Sequence, residues 1–217
     1  IEIENKCKKK GLVLYSAYNH RFEPHLITVK KIINSAKLGK IYSCKIFYGN
    51  GTSNLVKNSP WRDNGSGVLG DLAPHLIDLC LYFFNAKKID FKLINSNNFE
   101  TNSTDFVIIN SYYKKIYLQL EMTLCMWKNS FSLDILAEKG SLHVDSLCKW
   151  GPSTLSLRKR VLPSGYPIEK NKTIKMQDPT WKLEHQYLNR LIKNKINNNF
   201  SRDYEIMRNL KNLGKKL

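Results

Sequence analysis

The chain has 217 residues, 42% hydrophobic and 24% charged, which is length enough for one large core and excludes a disordered chain. Its formal charge of +17 raises nucleic-acid binding, but the basic groups are short clusters at turns and element ends. No recognition helix, RNP-like motif or zinc knuckle accompanies them, so the charge reads as solvated surface and nucleic acid is not the expected partner.

The first residues, "IEIENKCKKKG", read as the last turns of a helix ending at Gly11, and the expectation is that sequence precedes them in the native protein. Leu12 to Tyr18 is a short apolar run of the length of a buried, parallel strand. "YNHRF" follows at its carboxyl end, and Asn19, His20 and Arg21 in a row make a candidate ligand-binding stretch, since open α/β sheets bind ligands at such ends. A polar strand–helix junction is the plainer reading of the same residues. Residues 24–36 predict a helix, "IYSCKIFYG" a strand, and 49–67 a long loop rich in Gly, Asn and Ser. Trp61 and Arg62 near the loop's end offer a flat apolar face and a fork of donors.

"WRDNGSGVLGDLAPHLIDLC" then predicts an amphipathic helix behind a glycine-rich turn. At about 100° per residue, Asp71, His75 and Asp78 fall within roughly 60° of one another, and Leu72, Leu76, Leu79 and Phe83 occupy the adjoining, core-facing arc. Pro74 is tolerated if the helix starts near Gly70–Asp71, which makes Asp71 a candidate N-cap. His75 in the first turn favours a neutral imidazole, suited to taking a proton from a hydroxyl. Asp78 is placed either on His75 or toward solvent.

Strand signals follow at 89–95, 104–112, 115–126 and 130–137, with "EKGSLHVD" a fifth. Ile116, Leu118, Leu120, Met122, Leu124 and Met126 point one way, and the mildly polar opposite face suits partial coverage by another subunit. Tight turns at "YYKK" and "AEKGS" predict an antiparallel meander. Residues 151–180 read as loop with short edge strands, and helices are predicted at about 180–195 and 202–212. The fold class is α+β, helices packed on a mostly antiparallel open sheet. No glycine-rich nucleotide loop, no Ser–His–Asp or Cys–His arrangement and no metal site is legible; His25, His143 and His185 read as structural or exposed. The five cysteines are scattered, odd in number and mostly in apolar surroundings, and read as reduced thiols of a cytoplasmic protein. The longest apolar stretch, 68–84, is broken by Asp71, Pro74, His75 and Asp78 and does not predict a membrane span.

"AYNHRFEP", the helix ending in "KLGKIYSCKIFYGNG" and "SPWRDNGSGVLGDLAPHLIDL" together resemble the Gfo/Idh/MocA oxidoreductases. The resemblance implies an N-terminal Rossmann domain, of which residues 1–22 are a terminal helix and strand, and a substrate-binding and oligomerisation domain at 23–217. It implies NAD or NADP as cofactor, a sugar, cyclitol or nucleotide sugar as substrate, and a homo-oligomer formed through the open sheet. It makes Asp71 and His75 the catalytic pair, with Arg62 also on the substrate. It places Asn19, His20, Arg21, Trp61 and Arg62 at the cofactor. The family's glycine loop and the lysine of its E-K-P motif are not in this sequence, so this chain alone is not expected to hold the dinucleotide tightly or turn over. Ser66 and Ala73 stand where glycine is common, Ala73 narrowing the backbone clearance between Asp71 and His75. A non-catalytic binding or assembly subunit with the same fold is the alternative.

Overall fold

A computed structural model describes residues 2–63, 65–196 and 200–216. Helix α1 (Glu2–Lys9) ends as its Gly11 predicts, with Gly11 at φ 62°. Leu12–Tyr18 is a correction to the sequence reading: it runs without a strand ladder among the described residues. A parallel strand needs a neighbour to satisfy its backbone, and here part of that role falls to a side chain: the Tyr18 amide donates to Glu184 at 2.7 Å. A 3-10 turn, Asn19–Phe22, leads into α2 (Pro24–Asn34). Glu23 is extended (φ −65°, ψ 125°), as a residue before proline must be, so the turn and α2 meet at a sharp corner.

Strand β1 (Ile41–Gly51) alternates as expected, with Cys44, Ile46 and Tyr48 buried. The predicted loop 49–67 is partly ordered: β1 occupies its start and a short helix α3 (Ser53–Lys57) follows; position 64 lies outside the described residues. The amphipathic segment forms two helices, α4 (Gly67–Asp71) and α5 (Ala73–Phe83), divided at Leu72. Asp71 is therefore the last residue of α4 and not an N-cap, and no side chain caps α5; Pro74 sits in the first turn of α5, where its missing N–H costs nothing. Gly67 explains the start: φ is +48°, and a Cβ there would run into the Thr104 carbonyl, which accepts from the Val68 amide at 2.7 Å.

The strands β2 (Lys92–Asn97), β3 (Phe106–Tyr113), β4 (Ile116–Thr123), β5 (Cys125–Ala137), β6 (Gly140–Asp145), β7 (Ser153–Lys159) and β8 (Ile168–Ile174) join β1 in one eight-stranded sheet ordered β2-β3-β4-β1-β5-β6-β7-β8. The meander is interrupted, because β1 lies between β4 and β5 and pairs parallel with β4. The period-two run accordingly breaks at Leu124, where the chain passes over the end of β1 and returns antiparallel. Gly51 permits that passage, since a Cβ would strike the Met126 carbonyl. Lys114 and Lys115, both at positive φ, close the β3–β4 hairpin.

One sheet face carries Ile46, Leu118, Leu120, Leu133, Ile135 and Leu142, all buried beneath α2, α4 and α5. Helix α5 is buried on nearly every side: Leu76, Ile77, Leu79, Cys80, Leu81 and Phe83 are all inaccessible, since α7 (Ser201–Gly214) covers the side away from the sheet. Each such large apolar side chain contributes about 1.5–3 kcal/mol on burial. The opposite sheet face is uncovered, with Tyr42, Tyr112 and Leu136 exposed. Helix α6 (Thr180–Lys193) packs on the 3-10 turn. All five cysteines are free thiols, and no helix among the described residues is long and apolar enough to cross a membrane.

Candidate functional site

The corner made by Pro24 directs the three polar side chains of the 3-10 turn in three directions. The Asn19 amide donates to Thr180 Oγ1 at 3.2 Å, tying the turn to α6. Arg21 reaches α5, where its Nε donates to Asp78 Oδ2 at 2.7 Å and its Nη2 to Oδ1, a bidentate pair. Its guanidinium also stacks 4.9 Å from the Tyr18 ring. Asp78 is thus neither on His75 nor in solvent. Burial pushes its carboxyl up, and the Arg21 fork opposes that shift.

His20 points to His75: the two Nδ1 atoms are 3.3 Å apart and the ring centroids 4.6 Å. The side chains of Asn19, His20 and Arg21 are therefore all engaged within the chain. Asn19 and His20 are buried as well.

His75 is half-buried in the first turn of α5, with the Tyr18 ring edge-on at 6.4 Å. Its Nε2 has no protein partner among the described residues. Burial and the Lys149 ammonium hold its pKa below the usual histidine range, while Asp71 pulls the other way. Asp71 makes no hydrogen bond to it; the helix break at Leu72 turns the carboxylate to Arg62, 3.2 Å away.

Trp61 is 81% exposed and stands 5.9 Å from the Arg62 guanidinium. Together with Ser66, Gly70, Asp71 and Leu124 they line a cleft of about 270 Å³. The sequence reading thus assembles as two groups: Trp61, Arg62 and Asp71 around the cleft, and His75 with His20, the Asp71 carboxylate acting electrostatically on His75.

Three further residues complete the site, and nothing in the sequence distinguishes them. Lys149 and Trp150 come from a short turn, Cys148–Trp150, and Tyr48 from β1. Lys149 Nζ donates to Tyr48 Oη at 2.8 Å and lies 4.5 Å over the Trp150 ring, with no carboxylate in ion-pair range among the described residues. The Tyr48 ring stands 5.3 Å from that of His20. A "CKWG" turn has no pattern that separates it from surface; only the β1–Trp150 packing brings it inside.

On the far, open sheet face the structure also builds a Ser–His–Asp chain that the sequence hid, because Asp134 comes from β5. Ser141 Oγ is 2.8 Å from His143 Nε2, and His143 Nδ1 is 2.5 Å from Asp134 Oδ1. Both flanks of β6 are paired, so the neighbouring backbone N–H groups are committed to ladders and form no oxyanion hole. It is a surface polar network. No cluster of His, Cys, Asp or Glu among the described residues could hold a metal ion.

A model of the GFO/IDH/MocA C-terminal domain matches residues 26–143, more than half of the chain. The chain belongs to the Gfo/Idh/MocA family. It is 30% identical over 135 residues to the glucose-6-phosphate 3-dehydrogenase of Bacillus subtilis, covering 59% of this chain and 36% of that protein. It is 35% identical over 95 residues to the levoglucosan dehydrogenase of Pseudarthrobacter phenanthrenivorans, covering 41% and 23%. Among solved structures, a dehydrogenase (MviM) from Clostridium difficile superposes with a TM-score of 0.73 at 18% identity, over 100% of this chain and 66% of that one. A levoglucosan dehydrogenase in complex with NADH and levoglucosan superposes with 0.60 at 19% identity, over 76% and 48%. The Gfo/Idh/MocA chain described here spans about a third or less of the curated relatives it matches.

Proposed function

We propose that this chain is the substrate-side part of an NAD(P)-dependent oxidoreductase, moving a hydride to or from a hydroxyl or keto carbon of a sugar, cyclitol or nucleotide sugar. Residues 1–22 belong, on this reading, with a dinucleotide-binding domain and 23–217 form the substrate domain. The carrying observation is His75: half-buried, in contact with His20 at Nδ1, without a partner for Nε2 among the described residues, and within electrostatic reach of Asp71, which lines the Trp61–Arg62 cleft. The relatives' names point to sugar and cyclitol substrates.

The flat, exposed face of Trp61 and the forked donors of Arg62 fit one end of a nicotinamide and its amide, whereas the chain has no glycine-rich loop for the phosphates. When bound, the nicotinamide accepts or supplies the hydride. His75 Nε2 removes the hydroxyl proton in oxidation and returns it in reduction. Asp71 and Arg62 orient the neighbouring hydroxyls, their mutual ion pair holding both at the rim. The uncovered sheet face, with Tyr42 and Leu136, suits contact with a second copy. Five free thiols fit a cytoplasmic setting.

The test is cofactor reduction by the complete protein against polyols, sugar phosphates and nucleotide sugars, with His75→Ala beside it. Turnover with one of these classes, lowered about 10²–10⁴-fold by His75→Ala, supports the reading. No turnover with any class favours the assembly subunit, and an unchanged rate in His75→Ala removes His75 from the chemistry.

A further inference from the structure

His20 and His75 stand 55 positions apart in sequence, yet their Nδ1 atoms are 3.3 Å apart. At that distance the contact holds a single proton. With none, two lone pairs face each other; with two, the N–H groups collide. His20 is 4% exposed, and its Nε2 is buried without a hydrogen-bond partner among the described residues, so its ring makes its one hydrogen bond among them toward His75. The groups around the pair come from every neighbouring element. Tyr18 lies against His75, Tyr48 of β1 against His20, and the Lys149 ammonium near both; the Asp71 carboxylate acts on His75 from α4. Burial holds both imidazoles below the usual histidine pKa, consistent with one shared proton and not two cations.

We propose that His20 is the positioning residue for His75: His75 Nδ1–H donates to His20 Nδ1, which fixes the His75 ring and presents its unprotonated Nε2 to a ligand hydroxyl. Nature's commoner orienting group is a carboxylate or a carbonyl, and a neutral imidazole differs in a useful way. It sets the tautomer without placing an anion that would raise the basicity of His75. When Nε2 takes a proton from a hydroxyl, the charge rests on His75 with its Nδ1–H still donated. His20 Nε2 has no partner to pass a proton on to, so the same proton leaves again through His75 Nε2. Arg21, next in sequence, anchors the turn through Asp78 and so sets where His20 sits. The proposal rests on the function given above only for its catalytic consequence; the tautomer stands or falls by itself.

The experiment is long-range ¹H–¹⁵N spectroscopy of the full 217-residue chain with ¹⁵N-histidine, on wild type, His20→Phe and His20→Asn, with His75→Asn to assign. In wild type above pH 7, His75 Nδ1 should resonate as a protonated and Nε2 as a bare nitrogen. His20→Phe removes the acceptor at similar bulk, and His75 should then shift toward the ordinary tautomer mixture. His20→Asn, whose Oδ1 accepts from near the same position, should restore the wild-type pattern. In the complete protein, His20→Phe should lower kcat by about 10²-fold with KM little changed, and His20→Asn should recover most of it. The reverse tautomer in wild type, or a His75 spectrum unmoved by His20→Phe, overturns the proposal. Should His20→Phe fail to fold, the wild-type and His20→Asn spectra decide: a bare Nδ1 in either one overturns it. His75→Ala turnover separately tests the catalytic reading.

Discussion

Replacing Asp78 with alanine isolates the energetics of the turn that carries His20. The Asp78 side chain is 1% exposed and that of Arg21 20%, so removal of the carboxylate strands a guanidinium largely out of water. Arg202 repels the guanidinium left behind, and the Asp203 carboxylate attracts it from a distance without hydrogen-bonding it. Breaking a buried pair from one side costs about 3–5 kcal/mol. Alanine's better helix propensity inside α5 returns roughly 0.5 kcal/mol of that. For a chain of this size about 2–4 °C of Tm accompanies each kcal/mol, so a fall of roughly 5–18 °C is expected. Urea and thermal unfolding followed by circular dichroism on the 217-residue chain measure it. The control is Arg21→Met with Asp78→Leu, which removes both charges and keeps apolar volume; it should recover most of the loss. A cost for Asp78→Ala below about 1 kcal/mol, the value of a surface pair, would refute the reasoning. So would a double variant no more stable than the single one.

Other consequences can be measured on the same chain. Lys149→Met takes away the cation that opposes protonation of His75, so the His75 pKa should rise toward the usual histidine value in an NMR titration; an unmoved titration would remove Lys149 from the site's electrostatics. His20 and His75 have folded-state pKa values below the unfolded value of 6.5, so below that pH the unfolded chain binds protons the folded chain does not. Stability should therefore be fully present above pH 6.5 and fall as pH drops, by up to about 1.4 kcal/mol per pH unit for each histidine, and His20→Asn should flatten the slope. Gly67→Ala places a Cβ against the Thr104 carbonyl at a positive φ; about 1–3 kcal/mol of destabilisation is expected, measured by urea denaturation.

Much of the fold was legible because it rests on periodicity. The alternation from Ile116 to Met122 and the leucine spacing of α5 are local patterns, and burial follows them. The errors fall where a distant segment decides. Leu12–Tyr18 has a strand's composition, but a strand exists only with a neighbour, and none of the described residues pairs with it. The insertion of β1 between β4 and β5 leaves no mark in either sequence, because hairpin turns on both sides look the same whether or not another strand separates them.

The site divides on the same principle, and the division explains why its residue types were easier to find than their roles. Helical spacing grouped Asp71, His75 and Asp78 on one arc, but the grouping assumed an unbroken helix. The break at Leu72 turns Asp71 toward Arg62, and Asp78, a turn beyond His75, is taken by Arg21. Each carboxylate thus has a guanidinium from a segment 9 or 57 residues earlier, and the imidazole between them is left to pair with another imidazole. That exchange is an electrostatic choice. Arginine competes for a carboxylate better than a neutral histidine does, because its fork makes two charge-assisted bonds at Asp78. A sequence that carries "NHRF" and "D-x-x-x-H-x-x-D" therefore encodes the pairing His20–His75 once the arginine has claimed the second carboxylate.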